Sequence, residues 1–360
     1  MEMLKRSKMV PITVEGDIGR RSHTSAVDEV ITAALEQFLR IEHLTLTFHR
    51  GWPKLEEVSS IFSRAASLLR TSQIVSDDLQ IMLPETIFSG PGGAPLLRRV
   101  DLYRCNFNWR SEFLRSLTHL TVGRVPTGCR LSVSELITNI RNMPQLESIC
   151  LFSVLVAPKH PELNASSGPS SSIHLPFIAR IHLEDNLMSC LAFFTTFIYP
   201  NTAIVSIKCF CLGHHTDDVV LPVRDLITTI NAKNIVPITS LYVDNSYPGT
   251  FRGQDSQGIG RVFVEFPGIS SILCQLSGIS WDVLTLHYLK FLQVVGIKIS
   301  ESVWLSVFGK LNKLKAILIT DHANEFLNTL SRGISWAQTR DPGCLTRPRQ
   351  APRGSCNSAP

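Results

Sequence analysis

No stretch of this 360-residue chain approaches the roughly 18 consecutive apolar residues of a membrane-spanning helix. The N-terminal segment MEMLKRSKMVPITVEGD carries basic residues but no apolar run of signal-peptide length. These two absences predict a protein that has no membrane partner and that works inside the cell, in the cytoplasm or the nucleus.

Motifs that would indicate an enzyme are also lacking. The sequence has no HExxH, GxSxG or kinase-type set of residues. The glycines of 90–93 and 258–260 complete neither a GxGxxG fingerprint nor a phosphate-binding loop, so they are predicted to lie in turns. The carboxylate pairs Glu184–Asp185 and Asp217–Asp218 are adjacent residues that diverge on a strand or a helix, so we predict solvated ends rather than an acid and a base. We therefore expect no catalytic residue, no bound cofactor and no enzyme activity.

The cysteines do not suggest a disulfide framework, because their number, nine, is odd. Most of them fall in apolar segments, where a free thiol behaves as a small hydrophobe: Cys105, Cys150, Cys190, Cys209 and Cys274. This usage predicts a reduced, intracellular protein.

A possible metal site was considered at Cys209, Cys211, His214 and His215, which are close enough in sequence for soft-metal ligation. The two cysteines, however, continue an alternating apolar segment from Ile207, and no second ligand pair with finger-like spacing appears. We therefore expect no metal.

The net charge of +5 is concentrated at the two ends of the chain. Residues 1–8 contribute +2 and residues 332–360 contribute +4, which leaves −1 for the body between them. Because the body has no excess of basic residues, no nucleic-acid partner is predicted.

One short apolar pattern occurs twice within residues 94–125. The copies are L-x-x-V-x-L beginning at Leu97 and L-x-x-L-x-V beginning at Leu117. A strand whose two inward residues are separated by one outward residue explains the last three positions. Further clear copies begin at Ile41, Leu146, Ile178, Ile238 and Leu314, and looser copies begin at Ile204, Ile269 and Val294.

Most successive copies lie roughly 20 to 35 residues apart, which is typical of a solenoid of strand-plus-helix units. The pattern predicts an α/β fold over residues 1–332, a degenerate leucine-rich-repeat solenoid with parallel strands on one face and helices on the other. The wide gap between Leu44 and Val100 predicts one further unit, around Leu79 and Ile81. Residues 157–173 and 245–260 are predicted as long loops, and residues 333–360 as a disordered tail.

Helices are predicted between the strands from apolar residues at three- and four-residue spacing. They cover Val27–Phe38, Leu55–Leu69, Met188–Ile198 and Val223–Ile230, and one more opens with a capping box at Ser132–Glu135. A first strand is predicted at Val10–Glu15.

The order of these segments resembles a known family. Its most specific parts are APLLRRVDLYRCNFNW, beginning at Ala94, and the LRNMP-like run from Ile140 to Leu146. They are similar to the leucine-rich-repeat region of F-box proteins from mushroom-forming fungi, and the similarity covers most of residues 1–333. The resemblance implies a substrate-recruiting subunit of a Skp/cullin/F-box ubiquitin ligase, in which an F-box helix bundle docks the adaptor and the repeats hold the target.

The F-box itself is expected upstream of Met1 and is not found in the sequence. The run Leu83–Phe88 superficially resembles an F-box opening, but Gly90–Gly93 follows and would break the required helix. A Skp-family adaptor is therefore expected as a partner only if an F-box is encoded upstream. The alternatives left open are a truncated gene product and a free-standing interaction scaffold with no ubiquitin link.

A protein target of unknown identity is the expected partner in each case, because repeat solenoids offer an extended surface rather than a pocket. Trp109, beside Phe107, is a candidate anchor for such a partner. An aromatic residue at this place more often packs under the adjoining turn, and we predict that Trp109 belongs to the core.

Overall fold

The structure is a computed structural model that describes residues 10–18, 25–49, 60–77, 81–90, 92–156, 173–210, 216–233, 237–244, 249–266, 288–296, 311, 313–321 and 327. Its strands are β1 (Ile12–Ile18), β2 (Ile41–Phe48), β3 (Thr71–Ser76), β4 (Ile81–Met82), β5 (Arg99–Tyr103), β6 (Cys105–Asn106), β7 (His119–Gly123), β8 (Ser148–Phe152), β9 (Ile173–His174), β10 (Arg180–Asn186), β11 (Phe197–Ile198), β12 (Ile204–Phe210), β13 (Ser240–Asp244), β14 (Gly249–Gln254), β15 (Gly260–Phe266), β16 (Phe291–Val295) and β17 (Ala316–Thr320). Its α-helices are α1 (Ser25–Leu35), α2 (Val133–Ile140), α3 (Leu187–Thr196) and α4 (Thr216–Lys233).

The fold is mixed α/β and is built on one large sheet of 13 strands. From β1 to β12 the strands of this sheet are parallel and lie side by side in chain order. The order then becomes β15-β14-β13-β16-β17, in which β14 alone is antiparallel to its neighbours. Two small parallel pairs, β4 with β6 and β9 with β11, lie outside the main sheet. The sheet is therefore mostly, but not entirely, parallel.

Alternation along the strands places apolar side chains on one side of the main sheet. In β7, Leu120 and Val122 are buried, whereas His119 and Thr121 are partly exposed. The inward residues of successive strands and the buried residues of the helices form one continuous hydrophobic cluster. One face of the sheet is thus covered by the core, and the opposite face carries the polar and aromatic residues described below.

The same turn follows five of the strands. The residue directly after β5, β7, β8, β16 and β17 has a positive φ, and these residues are Arg104, Arg124, Ser153, Gly296 and Asp321. In four of the turns the N–H group of this residue donates to the next strand, as from Arg104 to the Gly123 carbonyl at 2.7 Å. A left-handed residue reverses the chain sharply, which sends the backbone away from the sheet after each strand. The units of the chain therefore share a backbone geometry as well as an apolar pattern.

An aromatic cluster packs under the first strands. Phe38, Phe62, Phe88 and Phe113 are buried, and neighbouring ring centroids lie 5.5 to 6.2 Å apart. Phe88 belongs to the run that superficially resembles an F-box opening. In the structure this run is a turn whose last residue enters the core, and no helix follows it in residues 92–98.

Several local predictions are confirmed. Strands occur at both copies of the organising pattern and at Leu44, Ile149, Ile181, Ile207, Leu241 and Ile317. The capping box is present, because the Ser132 side chain accepts from the Glu135 N–H while the Glu135 carboxylate accepts from the Ser132 N–H. The helices predicted near Val27, Met188 and Val223 are also present, with shifted ends.

The unit hidden between Leu44 and Val100 exists, but its position was wrong. The main-sheet strand is β3, whereas Ile81 lies in the short β4 outside the sheet. The inward residues of β3 are Ser72, Ile74 and Ser76, all of them buried. Two of three core positions are serines, so the strand lacks the apolar pattern that marks the other strands.

The prediction of a loop over residues 245–260 was wrong, because residues 249–254 form β14 and Gly260 begins β15. Small residues are what make β14 hard to recognise. A Cβ on the inward-facing Gly253 would lie 2.8 Å from Ile238 Cδ1, so a larger residue here would require the Ile238 side chain to move. The expectation of purely parallel strands fails at the same place, since β13, β14 and β15 form an antiparallel meander.

Two further predictions need correction. The late repeat begins at Leu289, not at Val294, because Leu289, Leu292 and Val294 are the buried positions and β16 ends at Val295. The helix predicted over Leu55–Leu69 covers only residues 60–62 of the described part, and residues 63–70 form turns and irregular chain. Residues 157–172, Ile269–Cys274, 297–299 and the tail 333–360 lie outside the described residues.

Asp185 corrects the prediction of a solvated carboxylate pair. Glu184 does face outward, but Asp185 is only 3% exposed. Its Oδ2 accepts hydrogen bonds from the Val154 and Leu155 N–H groups at 2.9 Å, and its Oδ1 accepts from the Asn186 N–H at 2.8 Å. Burial raises the pKa of Asp185, and these N–H donors oppose that effect. The carboxylate therefore joins the turn after β8 to the start of α3.

Candidate interaction surface

The outward residues of the main sheet form rows, because parallel strands in register bring equivalent positions side by side. The middle row, here called the central row, consists of Glu15, Thr45, Gln73, Asp101, Thr121, Cys150, His182, Ser206, Phe263, Arg252, Tyr242, Gln293 and Leu318. A second row lies toward the amino ends of the parallel strands and a third toward their carboxyl ends. No helix of the described residues lies over this face.

Aromatic side chains begin on this face at β5. The rings of Tyr103 and Phe152 lie 5.9 Å apart, although one strand separates them. The residue between them is Gly123, and a Cβ built on it would lie 2.6 Å from Tyr103 Cδ1 and 3.4 Å from Phe152 Cδ2. The glycine therefore lets two rings meet across an intervening strand. Burial raises the pKa of Tyr103, with the Asp101 carboxylate adding to the effect, so its hydroxyl stays protonated at neutral pH.

The ring of His182 continues this line at 4.9 Å from Phe152. Its Nδ1 lies 2.9 Å from Ser206 Oγ on the next strand, β12. Burial lowers the pKa of His182, so the imidazole is neutral at neutral pH. A neutral, half-buried imidazole of this kind offers a ring face and one free edge to a partner, rather than a charge.

The line ends on the antiparallel meander. Arg252 lies over the Phe263 ring at 4.7 Å and over the Tyr242 ring at 5.7 Å, so a guanidinium stacks between two aromatic rings. The Tyr242 hydroxyl donates to Asp244 Oδ2 at 2.5 Å, and this hydrogen bond is the main reason why the pKa of Tyr242 is raised. The seven residues of the line, here called the aromatic track, are Tyr103, Phe152, His182, Ser206, Phe263, Arg252 and Tyr242.

The two outer rows differ in charge. The amino-end row carries the bases His43, Arg99, His119 and Arg180. The carboxyl-end row carries Asp17, Glu184, Glu265 and Asp244, with Lys208 as a base that lies 3.7 Å from Glu184. The amino-end row is thus a basic border and the carboxyl-end row an acidic border. The aromatic track begins within the carboxyl-end row, at Tyr103 and Phe152, and continues in the central row from His182.

One ion pair of this face includes a nearly buried carboxylate. Asp101 is 9% exposed, and its Oδ2 accepts from Arg99 Nε at 2.8 Å. Exposed Arg180, in contrast, forms no ion pair within the described ranges. Arg180 is therefore an exposed cation of the amino-end row that no described carboxylate pairs.

The residues considered from the sequence lie elsewhere. Trp109 is 7% exposed and packs against Phe107, with tilted rings whose centroids lie 4.6 Å apart, as predicted for a core residue. Cys209 faces the core, while residues 211–215 lie outside the described residues, so the four-residue metal cluster is not placed. In the described part of the chain, no group of three or more His, Cys, Asp or Glu residues could hold a metal ion.

The sequence reasoning missed the aromatic track, although a signal for it was present. In the template L-x-x-L-x-L, the residue between the last two apolar positions is the outward one. Reading that position along the copies gives Asp101, Thr121, Cys150, His182 and Tyr242, which are central-row residues. Only His182 and Tyr242 of these belong to the aromatic track. Phe263 and Arg252 could not be found in this way, because they lie in the meander that was not predicted.

Comparison with known proteins adds no assignment: no protein-family model matches the chain, and no curated protein matches it. None of the helices in the described ranges has both the length and the apolar character needed to cross a bilayer.

Proposed function

We propose that this chain is a protein-binding repeat domain, built as a degenerate leucine-rich-repeat solenoid, and that its aromatic track contacts the partner. We further propose that the partner is the substrate of a Skp/cullin/F-box ubiquitin ligase. The solenoid assignment is supported by the shared apolar spacing and by the left-handed residue that follows five strands. The ligase assignment rests on the sequence resemblance.

The aromatic track is the observation that carries the proposal. Tyrosine, phenylalanine and arginine are enriched at protein interfaces, and such residues supply most of the binding energy where they are well packed. The track already holds its side chains in place, through the Gly123 gap and the stacked guanidinium of Arg252. Preorganised side chains lose little conformational entropy when a partner binds.

The size of the track also fits a protein partner. From β5 to β13 it crosses seven strand spacings of about 4.8 Å each, which is roughly 34 Å in total. A standard interface buries about 800 Å² on each partner, which corresponds to a patch of similar width. The basic and acidic borders would fix the orientation of the partner, since complementary charge acts mainly on specificity and association rate.

The test compares two matched phenylalanine variants of the protein, tagged at its own locus and purified from the organism that encodes it. Phe152→Ser alters the track, whereas Phe177→Ser alters an exposed phenylalanine (62%) in the turn before β10, outside the track. We expect the partner set of the unaltered protein to be kept by Phe177→Ser and lost by Phe152→Ser. Partners that survive Phe152→Ser unchanged would contradict the proposed surface.

The ligase link is tested in the same samples. A Skp-family adaptor and a cullin that co-purify with all three forms support it, because the adaptor should not depend on the track. If partners respond to Phe152→Ser but no adaptor is present, the protein is an interaction scaffold without a ubiquitin link.

A further inference from the structure

The main sheet ends at β17, which pairs with β16 on one side and, within the described ranges, with no strand on the other. Its hydrogen bonds to β16 use every second residue, as from the Ala316 N–H to the Lys290 carbonyl at 3.1 Å. In a parallel pair the intervening residues direct their N–H and C=O groups to the opposite side. Ile317 and Ile319 therefore turn their backbone groups toward the open edge.

Side chains on both faces of β17 are incompletely covered. On the core side Ile317 and Ile319 are only partly buried. The residues paired with them on β16, Leu292 and Val294, are 2% and 0% exposed. On the outward side Leu318 is 51% exposed. One more strand beside β17 would cover apolar side chains on both faces, and burial of apolar surface is the main favourable term in protein association.

The two edges of the sheet differ in the features that discourage the addition of a strand. Natural edge strands commonly carry charged residues or proline, which hinder pairing with another chain. The other edge strand, β1, contains Glu15 and Asp17. β17 has the sequence AILIT, without a charged residue or a proline. The edge at β17 is therefore the one suited to accept a further strand.

We propose that this further strand is β17 of a second copy of the chain, paired antiparallel about a two-fold axis at Leu318. In this register Ile317 of each copy lies opposite Ile319 of the other, so the edge-facing backbone groups of both residues pair. The segment KAILITD then complements itself in charge, because Lys315 of each copy comes beside Asp321 of the other. A parallel pair in register would instead place like charges side by side, which is unfavourable.

A two-fold pairing of this kind closes on itself, because each copy uses the same edge. Paired residues point to the same face of a sheet, so the cores of both copies lie on one side and their aromatic tracks on the other. A contact through one short strand is small, and small interfaces are typical of weak complexes. We therefore expect a dimer that forms and dissociates with protein concentration. The dimer does not depend on the proposed function, since it requires no other partner.

The first test measures the mass of the full-length protein by analytical ultracentrifugation at increasing concentration, where we expect a monomer–dimer equilibrium. Leu318→Lys places two like charges opposite each other at the two-fold axis and removes apolar contact, so the dissociation constant should rise by about tenfold or more. The matched control is Leu39→Lys, at an exposed leucine (57%) in the turn before β2. This control should leave the dissociation constant unchanged.

The register is tested by charge exchange. In a dimer of Lys315→Glu two carboxylates meet at each end of the strand pair, and in a dimer of Asp321→Lys two ammonium groups meet there, so each variant should dimerise more weakly than the unaltered protein. In a mixture of the two variants both end contacts are between opposite charges, and a heterodimer should form. Circular dichroism checks that Asp321→Lys is folded, because φ of this residue is 63°.

Leu318→Cys gives an independent readout of the two-fold axis. Residues directly opposite in a non-hydrogen-bonded antiparallel pair have Cα atoms about 4.5 Å apart, which is within the range of a disulfide. Oxidation with diamide should link Leu318→Cys, but not Leu39→Cys, into a covalent dimer. The proposal is overturned if the unaltered protein stays monomeric at every concentration, if association continues beyond a dimer, if Leu318→Lys dimerises as tightly as Leu39→Lys, or if the charge-exchange variants form no heterodimer.

Discussion

Replacing Asp185 by alanine should destabilise the protein strongly, although the neighbouring residue of the same strand lies on the surface. The carboxylate accepts from the N–H groups of Val154 and Leu155, both of which are 0% exposed. In the alanine variant these two buried donors lose their acceptor. Each such group costs about 1–3 kcal/mol, so we expect the free energy of unfolding to fall by about 2–6 kcal/mol.

The adjacent Glu184 provides the control. It lies on the opposite face of the same strand and its ion pair with Lys208, at 3.7 Å, is partly exposed. Such pairs contribute about 0–1 kcal/mol, so Glu184→Ala should have little effect. The stability loss of Asp185→Asn should fall between those of the two alanine variants. The asparagine keeps one side-chain oxygen as an acceptor, but its NH2 group then faces the N–H donors of Asn186.

Urea-induced unfolding at neutral pH, followed by circular dichroism, measures all three variants against the unaltered protein. The reasoning is refuted if Asp185→Ala loses less than about 1 kcal/mol, or no more than Glu184→Ala, since the buried N–H groups would then have found other acceptors.

Three further predictions concern single contacts. Gly123→Ala should lower the free energy of unfolding by about 1–3 kcal/mol, because the new methyl group forces the Tyr103 ring aside. The same substitution should have a much smaller effect when Tyr103 is already alanine, and equal effects in this double-mutant cycle would contradict the contact. Asp255 is partly desolvated, but N–H groups and the Arg261 guanidinium outweigh this and hold its pKa below the usual value. The stability that Asp255 contributes is therefore present above about pH 3.9 and is lost as the pH falls through the lower folded-state pKa. The difference in free energy of unfolding between the unaltered protein and Asp255→Asn should therefore shrink in acid. A difference that grows in acid would contradict this reasoning. Ser72 Oγ is buried without a partner in the described residues, so Ser72→Ala should leave the free energy of unfolding unchanged or raise it by up to about 1 kcal/mol, and a clear loss would reveal a missed hydrogen bond.

The sequence predicts the regular part of the sheet well, because there the core positions are large and apolar. Leu97, Val100 and Leu102 are buried, and the residue between the last two faces outward as the pattern requires. The capping box at Ser132 was also readable, since its two hydrogen bonds are local in sequence.

Prediction failed where burial does not depend on large apolar residues. The serines of β3 and Gly253 of β14 occupy inward positions, so their strands do not show the expected spacing. Asp185 was misjudged for a related reason: its acceptor role depends on N–H groups about 30 residues away, which no local pattern reveals.

The candidate surface depends on register between distant strands. Tyr103 and Phe152 are far apart in sequence and meet only because the residue between them in the sheet is glycine. Arg252 reaches its two rings only through the antiparallel meander. Local composition could therefore suggest single outward residues but not the track that they form.

The central claim, that the aromatic track is the partner-binding surface, is tested most directly by site-specific photocross-linking in the cells that encode the protein. The photoreactive residue p-benzoylphenylalanine replaces either Phe152 in the track or Phe177 outside it, and cross-linked products are compared by mass spectrometry. The account predicts a discrete protein adduct from position 152 and none from position 177. The same adduct from both positions, or from position 177 alone, would contradict it.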